Sequence, residues 1–192
     1  MNGSGENRRK TWWRRHLRTA AGIALCGVLA GGYTAYLRAG SVQVMPPVPG
    51  QVCPLLRPEL VDLVVPGHGV ATQETDRRDA ELSTWCVVER ADQDVSLAVG
   101  VINMGRAAGN DPVALARDRF VGSFVLNRER RLLDGLGDEA GYWRELSPTG
   151  SVYVTVRVGA RLVHVVYRNT MVTPERVLEA AVLAAREVLA RL

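Results

Sequence analysis

Apolar and polar residues alternate most regularly in the segment SVYVTVRVGARLVHVVYRN, residues 151–169. A period of two predicts β-strands with one buried face, and Gly159-Ala160 suits a two-residue type II′ turn between them. A turn at that position sets the register of the hairpin. The expected core-face pairs are Val158 with Arg161, Val156 with Val163, Val154 with Val165 and Val152 with Tyr167. The expected reverse-face pairs are Tyr153 with Val166, Thr155 with His164 and Arg157 with Leu162.

Two earlier segments also show strand-like apolar patterns. LSTWCVVER (82–90) and VSLAVGVIN (95–103) are predicted strands joined by a polar turn. In the second, the odd positions are apolar, whereas Ser96, Ala98 and Gly100 share the other face, where they leave room for a helix or another backbone to approach. A further strand is expected near 140–146, after the turn-rich stretch that begins at residue 132.

Helical spacing of apolar residues predicts three helices. The first occupies 54–67, and the second occupies 110–127 with Asp111 as its N-cap. The third occupies 173–192, with Thr173 as its cap and Pro174 as its first residue. The expected buried stripe of the second helix is Val113, Ala116, Phe120 and Phe124. The expected apolar face of the third is Leu178, Ala181, Val182, Ala185, Val188, Leu189 and Leu192.

The order helix, two strands, helix, three strands, helix predicts an α+β fold in which an antiparallel sheet packs against helices. The hairpin at 151–169 cannot bury its valine face alone, so the last helix is expected to lie across the sheet.

An uncharged run of 19 residues, 19–37, precedes this domain. As a helix it would be about 28 Å long, close to the ~30 Å hydrocarbon core of a bilayer. Arginines and a lysine cluster before the run, so the positive-inside rule predicts a cytoplasmic N-terminus and a C-terminal domain outside the plasma membrane. The expected organisation is a basic cytoplasmic tail (1–18), a single-pass transmembrane anchor (19–37), a Pro-rich linker (38–52) and an extracytoplasmic α+β domain (53–192).

Two other interpretations of the N-terminal run stay open. Small residues at 28–32 suit a cleaved signal peptide. Cys26 suggests a lipid-attachment site, although Leu25 precedes it where a small residue is usual. All three interpretations deliver the domain to the same side of the membrane.

Gly27, Gly31 and Ala35 recur every fourth residue within the run. Such a small-residue face predicts close pairing of two membrane helices, and therefore a homodimer. The alternative is a Gly/Ala-rich segment without a partner.

The net charge of +4 is unevenly distributed along the chain. Residues 1–38 hold seven basic residues and one acidic residue, which gives +6. Residues 39–192 hold 17 arginines and 19 acidic residues, which gives −2. A nucleic-acid-binding domain carries its positive charge on the folded part, so this class of partner is not expected.

Cys53 and Cys86 are the only cysteines of the outer domain. Thiols become oxidised outside the cytoplasm, so a disulfide between them is predicted, which would join the first helix to the first strand. Its loop of about 33 residues corresponds to roughly 3.5–4 kcal/mol of chain entropy. Two free thiols or a redox-active pair are the alternative, although the spacing does not fit a CxxC motif.

The outer domain holds little catalytic chemistry. It contains no P-loop and no GxSxG motif, and no metal or cofactor is expected, because its two histidines have no ligands at metal-binding spacing. Asp138 and Glu139 follow two glycines and form either a cation site, an acid/base pair, or a tight turn. Trp85, beside Cys86, is expected to be a core ring that packs on the disulfide. Trp143 is either a core ring or a ligand platform. Together with His164 on the hairpin, these residues make the candidate ligand groove: Trp143, Asp138, Glu139 and His164.

Several features resemble a known family. Cys53 before a Leu-rich helix, Cys86 beside Trp85, the run Gly135-Leu136-Gly137-Asp138-Glu139-Ala140, a Val-rich strand pair and an Ala-rich last helix are similar to an actinobacterial cell-envelope domain family that includes many small lipoproteins. The resemblance covers 53–192 and implies a PsbP-like sheet covered by helices, with no established activity. The family pattern often reads Cys-x-Trp, whereas here tryptophan precedes cysteine, and the anchor here resembles a helix instead of a lipid.

These observations favour a membrane-anchored, non-enzymatic binding or scaffold module of the cell envelope. Its partners would be the membrane and an envelope protein, lipid or cell-wall ligand. An envelope enzyme that uses Asp138 and Glu139 is one alternative. A sensor subunit that dimerises through its membrane helix is the other.

Overall fold

The valine-rich hairpin forms part of the centre of an antiparallel sheet. The computed structural model describes residues 50–78, 81–105, 111–124, 130–145 and 150–192, which belong to one compact unit. The hairpin register is the predicted one at every pair. Gly159 has a φ of +56°, as the first central residue of a type II′ turn requires.

The described ranges contain seven strands in the spatial order β1-β2-β3-β7-β6-β5-β4, and every neighbouring pair is antiparallel. The strands are β1 (Thr72–Arg78), β2 (Glu81–Glu89), β3 (Val95–Met104), β4 (Arg131–Leu132), β5 (Glu139–Arg144), β6 (Val152–Val158) and β7 (Arg161–Asn169). A 3₁₀-helix covers Cys53–Leu55, and the α-helices are α1 (Pro58–Val64), α2 (Pro112–Gly122) and α3 (Pro174–Leu189). The predicted α+β class with an antiparallel sheet is confirmed.

Strand β1 was not predicted. Its sequence, TQETDRR, has no apolar residue, and all seven residues are exposed. The strand exists because its backbone completes the ladder of β2 at the sheet edge, where polar and charged side chains are normal.

The first predicted helix is divided into two pieces. Arg57 is extended, with φ −65° and ψ 138°, and Pro58 starts α1. A residue before proline is pushed out of the helical region, so the 3₁₀-helix and α1 cannot be continuous.

The ends and faces of the other helices differ in detail from the prediction. Asp111 caps α2 by accepting a hydrogen bond from the backbone N–H of Ala114 at 3.3 Å, as expected, but Val113 is exposed. Thr173 occupies the N-cap position of α3 without a side-chain capping hydrogen bond, and Leu192 lies beyond the end of α3 and is exposed.

The two faces of the sheet carry different layers. The core face, lined by the valines of β3, β6 and β7, packs against α1 and α3. The reverse face packs against α2 through Ile102, Leu162 and Phe120. The same helix places Arg119 close to β2, with its Nε 3.3 Å from Glu81 Oε1.

A disulfide joins Cys53 and Cys86, as predicted, and ties the 3₁₀-helix to β2. Cys86 is 1% exposed. The side-chain oxygen of Gln73 on β1 also accepts a hydrogen bond from the backbone N–H of Val52 at 2.8 Å. The same oxygen accepts from the backbone N–H of Cys53, and the amide nitrogen of Gln73 donates to the carbonyl oxygen of Gly50 at 3.2 Å. The start of the domain is therefore held by the disulfide and by three hydrogen bonds of the Gln73 side chain.

The predicted basic tail (1–18), transmembrane anchor (19–37) and most of the linker (38–52) lie outside the described residues, as do Cys26, Gly27, Gly31 and Ala35. Among the helices that the structure does describe, none has the length and apolar character needed to cross a membrane.

Candidate functional site

The reverse face of the sheet carries most of the candidate site residues and their polar or aromatic neighbours. Antiparallel pairing aligns them in rows that cross the strands. One row runs Glu139, Arg157, Leu162, Ile102, Ser83; the next runs Gly141, Thr155, His164, Gly100, Trp85; the third runs Trp143, Tyr153, Val166, Ala98, Val87. Glu139, His164 and Trp143, which the sequence suggested as groove residues, therefore share one face but occupy three different rows.

Asp138 and Glu139 both bind Arg157. The Nε–H of Arg157 donates to Glu139 Oε2 at 2.6 Å, and Arg157 Nη1 donates to Asp138 Oδ2 at 3.0 Å. Asp138 Oδ2 also accepts a hydrogen bond from the backbone N–H of Gly159 at 2.8 Å. The two carboxylates thus connect the start of β5 to the turn of the β6–β7 hairpin.

Gly137 permits this connection. Its φ is +63°, and a Cβ at this position would lie 2.6 Å from the carbonyl oxygen of Arg157. The backbone N–H of Asp138 donates to that same oxygen at 2.8 Å. The glycine is needed both for the left-handed conformation and for the close approach to β6, so this geometry is that of a tight structural turn.

His164 lies in the middle of the reverse face and is partly buried. Its Nδ1 shares a hydrogen bond of 3.0 Å with the hydroxyl of Thr155. Desolvation by burial, followed by the positive charge of Arg119, lowers the pKa of His164 to about 4. The imidazole is therefore neutral near pH 7, which suits packing and hydrogen bonding better than it suits the binding of an anion.

Trp143 is stacked on Tyr153. The ring centroids are 3.8 Å apart and the ring planes differ by 4°. Trp143 also packs against the cluster that α2 forms with the sheet. One face of the indole is thus already occupied by Tyr153.

The position of Trp85 differs from the sequence-based expectation. The notion that its ring packs on the neighbouring disulfide is wrong, because successive side chains of a strand point to opposite faces of the sheet. Trp85 lies on the reverse face, and a Cβ at Gly100 would meet three of its ring atoms at 2.7 Å. The room that the sequence predicted beside Gly100 is filled by this indole.

A small cleft opens beside Trp85, between α2 and the β1 edge of the sheet. Its volume is about 160 Å³. We name it the Trp85 cleft. Its lining residues are Asp76, Arg78, Glu81, Ser83, Trp85, Ile102 and Arg119.

The charges around the Trp85 cleft are paired. Arg78 Nε lies 2.6 Å from Asp76 Oδ2, and Arg119 Nε lies 3.3 Å from Glu81 Oε1. Two arginines and two carboxylates give these lining residues a formal charge of zero. The cleft therefore combines an aromatic surface with a polar rim that does not select for either sign of charge.

No group of three or more potential metal-binding side chains occurs in the described ranges. Asp138 and Glu139 accept hydrogen bonds from Arg157, and His164 shares a hydrogen bond with Thr155. This arrangement can bind and orient a ligand by stacking and hydrogen bonding. The hydroxyl of Thr155, which shares a hydrogen bond with His164, is only 2% exposed.

Sequence reasoning missed the Trp85 cleft for two reasons. Its outer wall, Asp76 and Arg78, belongs to the polar strand β1, whose pattern resembles that of a loop. Arg119 joins it only because α2 crosses the reverse face. One signal was available: Cys86 is a core residue, so the alternation of β2 already required Trp85 to face the other side.

Comparisons with known proteins identify no relative. No protein-family model matches the chain, and neither does any curated protein or solved structure.

Proposed function

We propose that this chain is a membrane-anchored, extracytoplasmic binding module of the cell envelope. The Cys53–Cys86 disulfide carries the proposal. Disulfides form and persist in oxidising compartments and are rare in the cytosol. This bond is part of the domain architecture, since it joins the first helical segment to a strand of the sheet.

The charge distribution supports the same orientation. The excess of basic over acidic residues lies in 1–38, most of it before the uncharged run 19–37, and residues 39–192 carry a net charge of −2. A positive flank on one side of an apolar segment favours retention of that flank in the cytoplasm. The described domain would then lie outside, tethered by the segment 38–52. The resemblance to actinobacterial envelope domains is part of this proposal.

Binding is favoured over catalysis by the use that the fold makes of its polar residues. Asp138 and Glu139, the carboxylates of the alternative enzyme, are hydrogen-bonded to Arg157. A general acid or base needs a carboxyl group that can exchange its proton with a substrate. In contrast, the Trp85 cleft presents an aromatic surface with polar groups at its rim, as small-molecule binding sites do.

Two reporter fusions at Leu192 test the orientation. A phosphatase that is active only outside the cytoplasm is expected to be active, and a fluorescent protein that matures only inside is expected to be dark. The opposite result would refute the proposal. The mass of the chain recovered from membranes tells whether the N-terminal run is retained, cleaved or lipid-modified.

Capture from membranes tests the binding function. The full chain, crosslinked in its own membrane, is expected to retain an envelope protein, lipid or cell-wall fragment that a Cys53→Ala/Cys86→Ala variant retains less well. Turnover of an envelope substrate that disappears in Asp138→Asn/Glu139→Gln while the fold stays intact would instead establish the enzyme.

A further inference from the structure

We propose that the Trp85 cleft binds one pyranose ring of a neutral polysaccharide. The inference rests on the proposed binding function and names the class of ligand that this function would recognise. It is carried by the size of the cleft, the orientation of the indole and the pairing of the charges at its rim.

The size of the cleft favours a single ring. Its volume of about 160 Å³ is well below the roughly 300 Å³ at which sites that enclose drug-sized ligands begin. The cleft lies at the edge of the sheet and is bounded on one side by β1, whose residues are all exposed. A ring within a longer chain could therefore enter while its neighbours remain in solvent.

The indole of Trp85 is held parallel to the sheet. One side of the ring lies against the backbone of Gly100, and the ring of His164 stands beside it at a centroid distance of 6.2 Å and an angle of 24°. The indole also packs against the cluster that α2 forms with the sheet, and its partly exposed remainder lines the cleft. Because the ring is fixed before a ligand arrives, little side-chain entropy is lost on binding.

The rim favours hydroxyl groups over charged groups. A hydroxyl donates one hydrogen bond and accepts others, so it can accept from Arg78 and donate to Asp76 without breaking their ion pair. A charged ligand would in addition lie near the opposite rim partner of like charge, because each rim arginine is paired with a carboxylate. Among the described residues, the ion pair of Arg78 with Asp76 uses its Nε–H. Because this side chain is 80% exposed, its terminal N–H groups can reach a ligand.

A pyranose combines the two features that this site can recognise. One face of the ring carries C–H groups that can lie on an aromatic surface, and its edge carries neighbouring hydroxyls. Flat aromatic surfaces bind apolar faces, and paired carboxylate and guanidinium groups supply acceptors and donors. The geometry thus points to a neutral sugar instead of a phosphate or an amino acid.

Calorimetry and saturation-transfer NMR with the full chain in detergent test the inference. The probes are neutral tetrasaccharides of glucose, galactose, mannose and N-acetylglucosamine. At least one is expected to bind with a dissociation constant on the order of 1 mM. A tenfold increase in salt is expected to change the affinity less than about twofold, because the ligand carries no charge.

Two variants locate the binding site. Trp85→Ala is expected to weaken binding roughly tenfold through the lost stacking. Arg78→Ala is expected to weaken it roughly threefold, because one donor is lost at an exposed position. The matched control is Arg176→Ala, an exposed arginine of α3, which is expected to bind as the natural chain does. If Trp85→Ala does not fold, Arg78→Ala and its control decide.

Three results would overturn the inference. One is the absence of binding by all four sugars up to roughly 10 mM. Another is binding that persists unchanged in both cleft variants. The third is salt-dependent binding of free glycine or phosphate at this site in place of the sugars. None of these results refutes the proposed function if the reporters place the domain outside the cytoplasm. Conversely, sugar binding by a chain whose domain lies in the cytoplasm would refute the proposed function but support the sugar site in the Trp85 cleft.

Discussion

The indole of Trp85 covers the backbone of Gly100 on the neighbouring strand, so closely that a single added methyl group would lie 2.7 Å from three ring atoms. The two residues are directly paired across β2 and β3. This contact holds the aromatic surface of the cleft in place, and it explains why a residue without a side chain occupies the centre of a valine-rich strand.

Gly100→Ala should displace the indole. Because the methyl group overpacks the contact, we expect a loss of roughly 2 kcal/mol in the free energy of unfolding, together with a change in tryptophan fluorescence. Urea unfolding measures the first quantity. Gly122→Ala is the control, since its Cβ would meet nothing within 4 Å. Equal stability of the two variants would show that Trp85 does not lie where the structure places it.

Loss of the disulfide should destabilise the domain. Its sequence separation of 33 residues corresponds to about 4 kcal/mol in the chain-entropy model. The variant Cys53→Ala/Cys86→Ala is therefore expected to unfold at much lower urea, and reductant should lower the stability of the natural chain but not that of the variant. Cys26→Ala serves as the control, and reductant should lower its stability as much as that of the natural chain. If reductant does not lower the stability of the natural chain, the prediction is contradicted.

The ion pair between Arg157 and Glu139 should contribute measurably to the stability of the folded domain. The side chain of Arg157 is 11% exposed and that of Glu139 is 30% exposed. A double-mutant cycle of Arg157→Gln and Glu139→Gln is therefore expected to give a coupling energy of about 1–2 kcal/mol, above that of surface ion pairs.

The exposed pair Arg176–Glu179 on α3 is the matched control for this cycle. Its side chains are 74% and 65% exposed, so its coupling energy should stay below about 0.5 kcal/mol. A coupling energy for Arg157–Glu139 no larger than this would remove the structural explanation of these carboxylates and favour the enzyme alternative.

His164 should make stability depend on pH. Burial lowers its pKa from 6.5 to about 4 in the folded protein. Between these values the unfolded chain takes up a proton that the folded protein does not, so stability falls as the pH falls from 6.5 toward 4, by at most about 3 kcal/mol. Below this window the histidine adds no further change.

Urea unfolding at several pH values checks this prediction. His164→Asn, whose amide can keep a hydrogen bond to Thr155, should reduce the slope of stability against pH in this window. His68→Asn, which changes a loop histidine that lies 3.1 Å from Asp62, is the control and should leave the contribution of His164 in place. An unchanged slope in His164→Asn would assign the pH dependence to other groups.

Much of the fold was predictable because its signals are local. Strict alternation and the glycine–alanine turn determined the register of the β6–β7 hairpin, since a slip by one residue would turn every valine to the wrong face. Two cysteines in a domain otherwise without them determined the disulfide. Proline and aspartate determined the start of α2, because capping depends on only a few neighbouring residues.

The tertiary structure alone decided the rest. β1 has no apolar pattern, and it becomes a strand only because β2 offers an unpaired edge. Arg157 lies 18 and 19 residues from its two carboxylate partners, and α2 must cross the sheet before Arg119 reaches Glu81. These contacts join residues that are distant in sequence and depend on how elements pack, whereas periodicity reports only which face of one element is buried. The sequence by itself therefore determined five of the seven described strands, the hairpin turn and the disulfide, and the packing of α2 and β1 around Trp85 made the cleft.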